Sequence, residues 1–122
     1  MSDSDIHYKL YWASRDGNDA RVRELLAAGA EPDKYKDSWD DTALNEAARL
    51  GRDSTVSILI QHGADINRQN KNGYTALHRA AASGQNAVVS TLLQAGADPY
   101  LPDYAGQTPM QVAENKEIAR LE

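Results

Sequence analysis

The sequence predicts an all-α solenoid: a row of helix-turn-helix units joined by β-hairpin-like loops, with the outer units modified as caps. Three observations predict it. Thr42, Thr75 and Thr108 recur at a step of 33 (75−42 and 108−75). Leu44, Leu77 and Met110 keep that step, and so do the pairs Gly51–Gly84 and Gly63–Gly96. Each period holds a tight turn, a Thr helix start, a short helix and a glycine stop. A fixed period in the range of about 20–50 residues, with a turn and two short helices, marks a stacked helical array.

The elements follow in order. Residues 1–4 are expected to fray. A first helix is expected over Asp5–Arg15, where Ile6, Leu10 and Ala13 share one face, with Asp5 as its N-cap. Gly17-Asn18 breaks it. A second helix runs from Ala20 to Ala28 with Val22, Leu25 and Leu26 apolar, and Gly29 sits where a helix end needs positive φ. This first unit, about 5–36, lacks the turn and the Thr start. An end unit must present one face to water, so an atypical one is expected.

The second unit spans about 37–69. Its step from the first is 34 (63−29), and the extra residue is placed in Lys34-Tyr35-Lys36. Thr42 caps a helix through Leu50. A second helix runs from Thr55 to His62, with Val56, Leu59 and Ile60 inward. The third unit, about 70–102, repeats that triplet as Val89, Leu92 and Leu93. The fourth, about 103–122, is short. Pro109 pre-sets the first turn of its first helix, and its second helix is reduced to the region of Ile118, Ala119 and Leu121.

Small residues at Ala13-Ser14, Ala47-Ala48 and Ala80-Ala81 let neighbouring first helices approach closely. Gly73 and Gly106 fall two residues before their Thr, at a turn position of positive φ. Asp40 stands there in the second unit, and Asp tolerates the left-handed region better than most residues. Asn45, His78 and Gln111 share one position and are read as backbone-bonding structural groups.

Thr75-Ala76-Leu77-His78, Thr108-Pro109-Met110, the glycine helix breaks and the endings Gly63-Ala64-Asp65 and Gly96-Ala97-Asp98 resemble the ankyrin repeat over nearly the whole chain. The resemblance implies four repeats and a partner surface on the hairpin tips and first helices. Carried onto this chain, the partner-binding set is Arg15, Trp39, Asp41, Arg49, Leu50, Lys71, Tyr74, Ser83, Tyr104 and Gln107. Trp39, Tyr74 and Tyr104 stand out, since aromatic residues dominate interface hot spots. The competing reading folds Trp39 back onto Tyr35 in its own longer loop. Trp12 is read as a cover for the open N-terminal edge.

The chemistry of a catalyst is not visible. His7, His62 and His78 lack zinc-pair spacing, there is no Cys, and no nucleophile elbow or phosphate loop occurs. No catalytic residue, metal or cofactor is expected. A net charge of −5 argues against a phosphate-tracking surface, and no apolar run reaches the ~20 residues needed to span a bilayer. The acidic start Met1-Ser2-Asp3-Ser4-Asp5 is neither a signal nor a transit peptide. The expectation is a monomeric, cytoplasmic (or nuclear) protein-binding module, an adaptor or inhibitor. The alternative is a targeting domain cut from a larger enzyme or channel.

Overall fold

The computed structural model describes the backbone of residues 3–121 and the side chains of residues 6–115. Seven helices follow in order: α1 (Asp3–Asp16), α2 (Asp19–Ala27), α3 (Ala43–Arg49), α4 (Asp53–Gln61), α5 (Ala76–Ala82), α6 (Asn86–Gln94) and α7 (Pro109–Leu121). Among the described residues there is no strand, and no helix is long and apolar enough to cross a membrane. The helices form two rows. The first row is α1, α3, α5 and α7, the second α2, α4 and α6, and α1–α2, α3–α4 and α5–α6 pack as hairpins between them.

Small side chains set the spacing of the first row. Ser14, Ala47, Ala48 and Ala80 are fully enclosed, so the backbones of α1, α3 and α5 come close together. Leu10, Leu44, Leu77, Val22, Val56, Leu59, Val88 and Leu92 fill the layer between the rows. Each Thr does the expected work. Thr42, Thr75 and Thr108 accept the amides of Asn45, His78 and Gln111 at 3.5, 3.3 and 3.4 Å. The side chains at that third position bond back, His78 Nδ1 accepting the Thr75 amide at 3.2 Å and Gln111 Oε1 the Thr108 amide at 2.9 Å. Both orphan donors of the helix start are thereby satisfied.

Four expectations are corrected. The first helix begins at Asp3, so Asp5 is inside it and is not its N-cap; residues 1 and 2 lie outside the described residues. The inward triplet fails in α6: Leu92 is buried, Val89 is partly buried and Leu93 is 42% exposed, while Val88 is enclosed at 1%. In α4, Ile58 is enclosed and Ile60 only partly so. For α6 the cause is a missing neighbour: α4 packs between α2 and α6, whereas among the described residues no second-row helix packs beyond α6. Met110 shows the same effect in the first row: it is 48% exposed where Leu44 and Leu77 are buried. Finally, α7 runs unbroken to Leu121, so the fourth unit is one helix with no separate second one. The side chains of Ile118, Ala119 and Leu121 lie outside the described residues.

Candidate partner-binding face

The loops that precede α3, α5 and α7 end in tips of one design. Asp37, Asn70 and Asp103 organise them at a step of 33 (70−37 and 103−70). Each donates its backbone amide to the carbonyl of the residue four positions on. Asp37 N donates to Asp41 O at 3.1 Å, Asn70 N to Tyr74 O at 3.0 Å, and Asp103 N to Gln107 O at 2.7 Å. Each side-chain Oδ1 accepts two further amides, from Trp39 and Asp41, Asn72 and Tyr74, and Ala105 and Gln107, all at 2.9–3.0 Å. A short polar side chain that can hold its own turn is what such a tip needs. The sequence reading missed this trio, although its period was there to be seen.

Asp40, Gly73 and Gly106 take the positive-φ position at +62°, +79° and +82°. Asp40 is the sole non-glycine residue in that region among the described residues. Its placement follows the sequence expectation.

Neighbouring tips are laced together. Lys71 N donates to Trp39 O and Tyr104 N to Asn72 O, both at 3.0 Å. Side chains on the first helices reach forward to the next tip: Tyr11 Oη donates to Asp37 Oδ2 at 2.7 Å, and Asn45 Nδ2 to Tyr74 O at 3.5 Å. His78 Nε2 lies 2.9 Å from Gln107 O. A carbonyl only accepts, so His78 carries its proton on Nε2, leaving Nδ1 free to accept from Thr75. Tyr11 therefore does in the first unit what Asn45 and His78 do in the next two (45−11 = 34, 78−45 = 33). Burial and the Asp37 bond push its phenol well above the ordinary tyrosine range.

Beneath the tips runs a charged layer. Asp41, expected to face a partner, is fully buried instead. Its carboxylate accepts from Arg79 Nη2 at 2.8 Å and from Asn70 Nδ2 at 3.0 Å. Burial raises the Asp41 pKa, and Arg79 and Asn70 pull it back. Arg49 grips Glu46 with two bonds of 2.6 and 3.1 Å, and that bond lifts the Arg49 pKa further.

Of the remaining expected residues, Trp39 (59%), Tyr104 (69%), Lys71 and Ser83 are exposed, while Arg15, Arg49, Leu50, Tyr74 and Gln107 are half-buried. Among the described residues Trp39 joins no aromatic pair; Tyr35 packs instead edge-on to Tyr8 and Tyr11, with centroids at 5.1 and 5.0 Å. Trp12 lies across the N-terminal end beside Tyr8 and Tyr11, with the Arg15 guanidinium 4.9 Å from its ring centroid. Arg49, Tyr74 and Ser83 come together around one concave cavity of about 430 Å³, shared with His78, Arg79 and Val112. Trp39, Lys71 and Tyr104 stay outside it, along the tip edge.

The histidines are occupied by the backbone. His7 Nδ1 accepts the Glu31 amide at 3.0 Å, and His62 Nδ1 donates to Ile58 O at 2.9 Å. Among the described residues no group of three or more His, Asp or Glu could hold a metal ion.

The comparisons agree with this architecture. A segment of 66 residues (54% of this chain, 9% of the relative) is 41% identical to the mouse (Mus musculus) 2-5A-dependent ribonuclease. A putative ankyrin repeat-containing protein of Treponema pallidum (strain Nichols) is 37% identical over 97 residues, 80% of this chain and 33% of that protein. The mouse BCL-6 corepressor-like protein 1 is 34% identical over 111 residues, 91% of this chain and 6% of that protein. The chain thus spans a third or less of the length of these relatives. Ankyrin repeats are in general protein–protein interaction modules rather than catalysts. The sequence profile described as Ankyrin repeats (3 copies) matches residues 10–103, well over half of the sequence, and the chain belongs to the ankyrin-repeat family.

Proposed function

We propose that this chain is a non-catalytic module that binds another protein along its hairpin tips and concave face, as an adaptor or inhibitor. One observation carries the reading: the tips are tied to each other by backbone bonds, yet they leave Trp39 and Tyr104 largely exposed. A rigid edge with amphipathic rings loses little entropy on binding. Arg15, Arg49, Leu50, Lys71, Tyr74, Ser83 and Gln107 complete the surface. Asp41 serves it from below, by holding Arg79. The reading includes a monomer in the cytoplasm, with no nucleic acid or membrane as partner.

Affinity capture followed by mass spectrometry tests it. The parent chain is expected to retain a protein that the Trp39→Ala/Tyr74→Ala variant does not. Retention by both would move the binding face elsewhere.

A second reading is a targeting domain within a larger enzyme or channel. The lengths of the relatives favour it: 70 residues resemble 6% of a transient receptor potential cation channel homologue, and 73 residues 10% of an ARF GTPase-activating protein. The position of the stop codon in the transcript separates the two.

A further inference from the structure

We infer that the concave cavity between α3, α5 and α7 receives an acidic side chain, an Asp or Glu carboxylate on an extended segment of the partner protein. The inference rests on the interaction reading above and names the chemistry of one subsite.

The cavity is lined by donors that have no acceptor. Arg49 spends Nε and Nη2 on Glu46, and its Nη1 makes no hydrogen bond among the described residues. Arg79 spends one Nη2 bond on Asp41; its Nε is buried without a partner, and its Nη1 makes no hydrogen bond among the described residues. Tyr74 Oη and Ser83 Oγ make no hydrogen bond among the described residues either. Among the described residues no carboxylate lines the space. Glu46 and Asp41 sit behind the two guanidiniums, each fixing its orientation from one side.

A guanidinium has five donors in a planar fork, and one carboxylate uses at most two of them. Two such forks, already oriented, lose little freedom when a second acceptor arrives. A planar group with two oxygens matches a fork better than a single carbonyl does. Ala82, Val112 and the Tyr74 ring supply apolar wall, so the residue next to the acid should be apolar.

Selection from a library of random linear 12-residue peptides displayed on phage, against the full chain, tests the inference. Enriched peptides should carry Asp or Glu beside an apolar residue. A synthetic copy of one should bind about tenfold or more weakly when its acid is replaced by the amide, as loss of a charge-assisted bond requires. Arg49→Gln should weaken the parent peptide by a similar factor. Val112→Glu, which removes no member of either ion pair, should do the same by placing a carboxylate of the chain itself in the cavity. Melting curves of both variants confirm folding. Peptides that bind with no acidic preference, or equally well to both variants, overturn the inference and leave the interaction reading standing. A library that yields no binder also overturns it; the interaction reading is then decided by the capture experiment alone.

Discussion

A Cβ built on Gly73 would fall 2.7 Å from the backbone nitrogen of Tyr104. The second tip is thus pressed against the third, at the point where Tyr104 N bonds Asn72 O. Gly106 has a similar φ, but nothing lies within 4 Å of its Cβ position. Gly106→Ala should therefore cost only the left-handed penalty, about 1–2 kcal/mol. Gly73→Ala should cost clearly more, because backbone must move. Urea denaturation of the two variants compares them. Equal costs would mean that the tips are not in contact.

Tyr11 should make the fold sensitive to alkali. Its phenol is raised above the ordinary value of 10.0, chiefly by burial and then by the Asp37 bond. A raised pKa means that the native state keeps its proton after the unfolded chain begins to lose it. The stabilising contribution is complete below about pH 10 and is lost as pH rises above that value. Tyr11→Phe should cost about 1–3 kcal/mol at neutral pH, by removing a bond to a charged acceptor. It should also flatten the loss of stability above about pH 10. A variant with the parent's alkaline slope would contradict this.

The Asp41–Arg79 pair should be costly to break from one side. Asp41 is enclosed, and Arg79 is its only cation among the bonds described. Arg79→Met should destabilise by about 3–5 kcal/mol, as for other buried pairs cut in half. With the raised Asp41 pKa no longer held down by Arg79, the variant should gain stability as pH falls, because its native state then binds the extra proton. Asp41→Asn in the same background should recover part of the loss. Thermal melts across acid to neutral pH read out all three chains.

How much of this was legible depends on distance along the chain. The helices, their Thr starts and the Asp40 turn follow from local chemistry repeated at a fixed step, and a single sequence displays that openly. Asp37, Asn70 and Asp103 obey the same step, but Asp and Asn are so common in loops that their period does not stand out. The family resemblance puts Asp41 at a tip; its bonds to Asn70 and Arg79, 29 and 38 positions away, hold it inward instead. Leu93 and Met110 look like core because their counterparts are core. Their exposure depends on whether a further helix packs against them, which no local pattern encodes.

The central claim is that the tips and concave face bind a protein. The most direct test is calorimetric titration of the captured partner into the parent, Trp39→Ala, and Trp39→Ala/Tyr74→Ala chains. Trp39 is exposed, so its truncation should leave the melting curve unchanged. The half-buried Tyr74 should add only a small shift. Each ring, if a hot spot, contributes about 2 kcal/mol, roughly 30-fold in Kd. The account predicts that loss for Trp39→Ala and no measurable binding for the double variant, with both chains folded. A double variant that is folded and binds with the parent's Kd would contradict it.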